Sequence, residues 1–168
     1  FGVPGESYLA VLDGFHRYRE HIAFIVNRHE GGAAFMAEAA GKLTGKPGVC
    51  FVTRAPGATN ASIGVHTAFQ DSTPMVLFVG DVVIDQRDRE AFQEMDYRAM
   101  FGPSTQGMAK RVERIDDAAR IPEYVARAFA TALAALQAQA SVPWRAWTAS
   151  CHSDYLSNMQ PSTIAALP

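Results

Sequence analysis

Short apolar runs alternate along the chain with longer segments in which apolar residues recur at the helical period. This alternation is typical of an α/β domain built around a parallel sheet. Runs of strand length, two of them introduced by proline or glycine, predict strands at Ile22–Val26, Gly48–Thr53 and Met75–Gly80, with Phe1–Val3 as the end of another.

Three segments between and after these runs are predicted to be helices. Gly32–Leu43 is apolar almost all the way round, and Ala58–Phe69 is rich in small residues, so both are expected to be well-packed crossover helices. Apolar residues in Ile121–Leu136 follow the 3.6-residue period, which predicts an amphipathic helix. Asp81–Gln93 is charged and lacks a period, which predicts an exposed loop, and Ala140–Pro168 has no pattern that assigns a structure.

Composition limits the class of protein. The 168 residues are 48% hydrophobic and 19% charged, which fits one globular domain rather than a disordered chain. The net charge of −2, without a basic stripe, argues against a nucleic-acid partner. No apolar stretch approaches membrane-spanning length, no secretory leader opens the chain, and the two cysteines form no spaced pair. We therefore expect a soluble, cytoplasmic protein.

Two familiar motifs are excluded by their spacing. His29-Glu30 lacks the second histidine of a zinc-binding helix, and Gly41–Pro47 lacks both the spacing and the final hydroxyl residue of a phosphate-binding loop. Neither zinc hydrolysis nor nucleotide hydrolysis is therefore expected.

The loops that follow the predicted strands remain as the candidate site, because open α/β sheets bind ligands at the carboxyl ends of their strands. These loops contain Glu6, Glu30, the Arg54–Asn60 segment and Asp81. Each feature also has an ordinary structural interpretation. An acidic residue in a first helical turn is favoured by the helix dipole, and Pro56-Gly57 can be only a turn.

Five ordered motifs resemble one known family. The motifs are His29–Ala34, Leu43–Cys50, Ala55–Asn60, Ala68–Pro74 and Ala91–Asp96. Together they are similar to the pyrimidine-binding domain of thiamine-diphosphate enzymes, and within that family to acetolactate-synthase-like proteins. The resemblance implies a three-layer, doubly wound parallel sheet with helices on both faces. It implies a domain over residues 1–139, without the strand and helix that usually come first, and an atypical tail over residues 140–168.

The same resemblance implies roles for individual residues. Glu30 would hydrogen-bond N1′ of the aminopyrimidine and favour the imino tautomer, which lets the thiazolium C2 lose its proton. A carboxyl group suits this task because it can share a proton with a ring nitrogen. Thr53, Pro56 and Asn60 would line the pyrimidine pocket. Glu6 would be a second catalytic acid near the reacting carbon, and a pair, Phe92 and Gln93, would face the substrate channel.

The resemblance also implies partners and leaves some points open. The cofactor would be thiamine diphosphate with Mg²⁺, and the metal would be held by a separate diphosphate domain, because its Gly-Asp-Gly…Asn motif does not occur here. The substrate would be a 2-oxo acid and the parent enzyme at least a homodimer, whereas this chain alone would be truncated and inactive. Glu6, Arg54 and Gln106 depart from the acetolactate synthase pattern, which has glycine, serine and lysine there, so decarboxylation and other carboligations stay open. The alternative is a non-catalytic binding or regulatory module on the same scaffold.

Overall fold

The computed structural model describes residues 1–102 and 107–140, with side chains through residue 134. Residues Phe1–Leu136 form one compact unit. The expected tail lies, from residue 141 onward, outside the described residues, as does Gln106. The elements, in chain order, are α1 (Leu9–Arg17), α2 (Glu30–Thr44), β1 (Gly48–Val52), α3 (Ala55–Gln70), β2 (Met75–Val79), α4 (Tyr97–Phe101) and α5 (Ile121–Ala140), with short 3-10 turns at Glu6–Tyr8, Ile84–Gln86 and Ala118–Arg120.

The sheet is parallel. β1 and β2 pair in register from Gly48 with Met75 to Val52 with Val79, and α3 is the crossover between them. Gly2 extends this arrangement through isolated parallel bridges to Phe51 on one side and Val26 on the other. The α/β class expected from the alternating pattern is thus confirmed.

One predicted strand is wrong. Ile22–Val26 contributes a single bridge, from Val26 to Gly2, and not a strand. Ile22, Ile25 and Val26 are each at least 45% exposed. The apolar run therefore has no buried face to hold it in the sheet.

Phe1–Val3, expected to be the end of a strand, likewise contributes only the isolated bridges of Gly2. The remaining predicted strands and helices form, with shifted ends. β1 and β2 each stop one residue early, α2 and α3 begin two and three residues early, and α5 runs on to Ala140. The Asp81–Gln93 segment is mostly exposed and irregular, with one 3-10 turn. Helices α1 and α4 were not predicted. The signal for α1 is the helical spacing of Leu12 and Phe15 with Tyr8 just before the helix, and these are among its less exposed side chains. Gly14 weakens this signal because glycine disfavours helices.

One face of the sheet packs against two helices through very small side chains. Cys50 and Val52 of β1 are fully buried with three alanines of α2 and Ala61 of α3. Gly64 of α3 lies directly against Ala34 of α2, because a Cβ atom on Gly64 would come within 2.6 Å of the Ala34 Cβ. The backbones of α2 and α3 are therefore in close contact.

Aromatic rings cover the opposite face. Phe51 and Phe78, register partners in β1 and β2, stack with ring centroids 4.5 Å apart. Phe15 of α1 meets the edge of Phe51 at 5.1 Å and stacks on Phe24. Helix α1 thus contacts the face that α2 does not. Among the described helices none is long and apolar enough to span a membrane.

The close contact of α2 with α3 gives a matched pair of substitutions. Gly64→Ala should lower the free energy of unfolding by about 1–3 kcal/mol, because its methyl group overlaps Ala34. Gly14→Ala in α1, where a Cβ meets nothing within 4 Å among the described residues, should raise it by about 0.5–1 kcal/mol. Urea unfolding of the two variants measures both effects. Equal stability of the two would contradict the contact.

Candidate functional site

Glu30 is the first residue of α2. The helix begins there because the His29 side chain caps it, its Nδ1 accepting a hydrogen bond from the Gly31 amide at 3.1 Å. A Cβ on Gly31 would lie 3.2 Å from the Asn60 carbonyl oxygen, so this turn of α2 closely approaches α3. The Asn60 side-chain amide donates to Glu30 Oε2 at 2.9 Å. The half-buried Glu30 carboxyl is thereby held against α3.

Gly57 lets Thr53 and Glu30 share one small space. A Cβ at this buried glycine would lie 3.2 Å from Thr53 Cγ2 and 3.6 Å from Glu30 Oε1. Pro56 and Gly57 are in the first turn of α3 and not in a separate turn, a position where proline costs no hydrogen bond. Pro56 itself is exposed at the surface of that turn.

Glu6 joins the same end of the sheet from the chain's first segment. Its Oε1 accepts a hydrogen bond from Arg54 Nη1 at 3.0 Å. The adjacent hydroxyl groups of Ser7 and Thr53 lie 2.9 Å apart. Thr53 therefore lies between two acidic residues. Its hydroxyl meets Ser7, the residue after Glu6, and its methyl group faces Glu30 across Gly57.

The expected substrate-channel pair is only partly brought to this cluster. Gln93 has a positive φ of 62°, and its carbonyl oxygen accepts from the Ala55 amide at 3.4 Å, which places its backbone at the start of α3. Phe92 is 75% exposed. Glu30, Asn60 and Thr53 thus meet directly, Glu6 and Gln93 lie beside them, and Phe92 makes no comparable contact among the described residues.

Two buried groups near Glu30, the Tyr8 hydroxyl and the Cys50 thiol, stay protonated at neutral pH. Burial raises the pKa of Tyr8 to about 12, and the charges of Cys50 and Glu30 act in the same direction. Burial likewise raises the pKa of the Cys50 thiol to about 11, and Glu30 adds to the effect. The Tyr8 hydroxyl donates to the Val3 carbonyl oxygen. At neutral pH neither the Tyr8 hydroxyl nor the Cys50 thiol therefore places a negative charge near Glu30.

Several of these contacts have no signal in the sequence. Ser7 and Tyr8 act through tertiary contacts alone, and no local pattern pairs Glu6 with a residue 48 positions away. The close approach at Gly57 could have been suspected from a glycine directly after proline. Among the described residues, no group of three or more His, Cys, Asp or Glu side chains is placed to hold a metal ion.

Comparison with known proteins adds a family match. Residues 1–100 match the family described as thiamine pyrophosphate enzyme, N-terminal TPP binding domain. The acetolactate synthase of Bacillus subtilis (strain 168) is 42% identical over 134 residues, which cover 80% of this chain and 22% of that protein. The acetolactate synthase large subunit of Lactococcus lactis subsp. lactis (strain IL1403) is 40% identical over 129 residues, 77% of this chain and 22% of that protein.

A eukaryotic relative shows the same pattern. The mitochondrial acetolactate synthase catalytic subunit of Saccharomyces cerevisiae is 40% identical over 117 residues, which cover 68% of this chain and 17% of that protein. The chain thus spans about a fifth of the length of the curated relatives it matches.

The raised pKa of Cys50 predicts slow thiol chemistry. At pH 8 a pKa near 11 leaves about 10²-fold less thiolate than the ordinary value of 9.0. In a Cys151→Ser background, Cys50 should therefore react with Ellman's reagent at least about 10²-fold more slowly in the native chain than in urea. The native rate should rise with pH between 8 and 10, because this range lies below the raised pKa. Equal native and unfolded rates would contradict the buried position.

Proposed function

The chain belongs to the thiamine pyrophosphate enzyme family, whose N-terminal cofactor-binding domain it matches, and from this premise we propose that it is the pyrimidine-binding domain of an acetolactate-synthase-like enzyme acting on 2-oxo acids. The reaction is a carboligation or a decarboxylation. The contact that carries this proposal is the hydrogen bond between the Glu30 carboxyl and Asn60, beside Gly57 and Thr53.

The residues present fit the aminopyrimidine ring of thiamine diphosphate. A half-buried carboxyl group provides a partner for a ring nitrogen, and it is held in place by an amide rather than neutralised by a cation. A Cβ on Gly32 meets nothing within 4 Å among the described residues, so the backbone next to Glu30 is open to a ligand. A flat, neutral heterocycle with hydrogen-bonding edges matches this set of groups.

Each side chain then has a distinct task. Glu30 shares a proton with N1′ of the ring, and Asn60 fixes the orientation of that carboxyl. Thr53, which follows β1, and Pro56, in α3, would line the ring. When bound, the cofactor supplies the carbanion chemistry at its thiazolium C2, while the protein orients it and handles protons.

The substrate side of the site is formed by acids and the exposed segment. We assign Glu6 as a second catalytic residue near the reacting carbon. There its carboxylate could accept a proton from the substrate, and the resulting carboxylic acid could return it. Phe92 and Gln93 are assigned to the substrate channel. The Gln93 backbone contact with Ala55 supports that position for Gln93.

The rest of the cofactor is assigned to other parts of a longer enzyme. The matched residues cover only about a fifth of each relative, and Mg²⁺ with the diphosphate would be bound by a separate diphosphate domain. The pyrimidine-binding domain would cover residues 1–139 of this chain, as one part of a three-layer, doubly wound sheet, with residues 140–168 as an atypical tail. The enzyme is expected in the cytoplasm.

A homodimer is expected from the outer faces of α2 and α3. Phe35 and Met36 of α2 and Ile63 of α3 are 41%, 42% and 56% exposed, and exposed apolar residues of this size favour an interface. Light scattering of the chain at about 50 µM should give a dimer, which Ile63→Glu should convert to monomer. Val83→Glu, at a residue 60% exposed on the irregular segment, serves as the control and should leave the dimer intact. A monomer before substitution would contradict the expected interface.

The role of Glu30 is tested by Glu30→Gln in the full-length enzyme. Glutamine keeps the size and a hydrogen bond but cannot share the proton, so hydrogen–deuterium exchange at the thiazolium C2 should slow by about 10²–10⁴-fold. This readout needs no knowledge of the substrate. Glu123→Gln, the first-turn acid of α5, is the matched control and should leave exchange unchanged.

Two outcomes of this experiment separate the competing functions. Slowed exchange in Glu30→Gln alone supports catalysis. Unchanged exchange would favour the alternative, a non-catalytic binding or regulatory module, for which Glu30 is only an acidic residue in the first turn of α2 that contributes under about 1 kcal/mol to stability.

A further inference from the structure

Glu6 and Arg54 form an ion pair between two distant segments. Arg54 lies between β1 and α3 and donates from Nη1 to Glu6 Oε1 at 3.0 Å, across 48 positions of sequence. The Arg54 side chain is only 20% exposed, and its Nε is buried without a hydrogen-bond partner among the described residues. The guanidinium therefore differs from the solvent-exposed partners of ordinary surface ion pairs, which contribute little.

The backbone that bears Glu6 is fixed at the same place. A Cβ on Gly5 would come within 2.5 Å of the Thr53 Cβ, so the turn lies directly on the end of β1. The next residue, Ser7, meets the Thr53 hydroxyl at 2.9 Å and also packs against Gly80 at the end of β2. Glu6 thus sits on a turn held on both of its sides, and only its side-chain rotamer is left for Arg54 to define.

The two charges are not equally accessible. The Glu6 side chain is 59% exposed, three times the exposed fraction of Arg54. The Arg54 guanidinium is largely buried, whereas the Glu6 carboxylate faces solvent. The buried cation therefore fixes the position of the exposed anion.

We propose that Arg54 is a positioning residue that holds the Glu6 carboxylate at the substrate side of the site. This inference rests on the proposed function, because it needs Glu6 to act on a substrate. In this role Arg54 would act through Glu6 and not directly on the cofactor or the reacting atoms. Cofactor activation depends on Glu30, across Gly57 from Thr53, and is separate from this pair.

The test measures turnover in the full-length enzyme, with CO₂ release from pyruvate, 2-oxobutyrate and phenylglyoxylate as the probe reactions. Arg54→Ala and Glu6→Gln should each lower kcat by about 10–10²-fold with little change in KM, because a misplaced group of this kind costs about that much. The double variant should be no slower than the slower single variant, because each substitution already removes the same Glu6–Arg54 contact. Arg54→Lys keeps the charge and can replace the single hydrogen bond, so it should recover most of the loss.

Two further measurements separate positioning from damage to the fold. Hydrogen–deuterium exchange at the thiazolium C2 should stay within about twofold of the unsubstituted enzyme in Arg54→Ala. Thermal unfolding of the 168-residue chain without cofactor should show a similar small loss, about 1–3 °C, in both single variants and in the double variant. Arg17→Ala, which removes an exposed ion pair with Asp13 on α1, is the control and should leave turnover unchanged.

Several results would overturn the inference. Additive losses in the double variant would mean that the two residues act independently, and an unchanged kcat in Arg54→Ala would mean that Glu6 needs no positioning. Slowed C2 exchange in Arg54→Ala would mean that the arginine serves the cofactor instead. Absence of CO₂ release from all three probes in the unsubstituted enzyme would overturn the proposed function, and this inference with it.

Discussion

The close contact between α2 and α3 is the constraint on which the rest of the site depends. Gly64 against Ala34 and Gly31 against the Asn60 carbonyl leave no room for larger side chains between the two helices. This spacing is what puts the Asn60 amide within 2.9 Å of the Glu30 carboxyl. A helix pair separated by bulkier residues, at the more usual distance of about 8–10 Å, would leave that carboxyl facing water alone.

The parallel sheet assembles the remaining groups at one edge. Thr53 and Arg54 follow β1, Gly80 follows β2, and the turn at Glu6 is aligned with both through the bridge from Gly2 to Phe51. Because parallel strands end together, side chains far apart in sequence arrive at one place. Ionic contacts then refine positions that the backbone has already fixed. Arg54 does this for the Glu6 carboxyl, and the uncharged amide of Asn60 does it for the Glu30 carboxyl.

Much of the fold could be predicted from the sequence, because β1 and β2 are short apolar runs, α2 and α3 are rich in small apolar residues, and α5 follows the helical period. The failures have physical causes. Ile22–Val26 has the composition of a strand, but it pairs only through the single bridge from Val26 to Gly2, and its apolar side chains stay largely exposed. The start of α2 at Glu30 depends on a cap from His29, which moves the helix end by two residues. Within the site, motif resemblance pointed to Glu30, Thr53 and Asn60, whereas the Glu6–Arg54 contact joins positions that no local pattern connects.

The bridge from Gly2 to Phe51 also bears on the order in which the chain folds. It closes a loop of about 50 residues, and such long-range contacts form late because chain entropy must be lost first. The β1–α3–β2 unit can form without Gly2, but the first segment cannot pair before Phe51 has been made. At ordinary synthesis rates that is an interval of roughly 3–10 s. During this time Phe1 and Val3 lack the backbone partner that Phe51 later provides, so the nascent segment that bears Glu6 stays unpaired and accessible to chaperones.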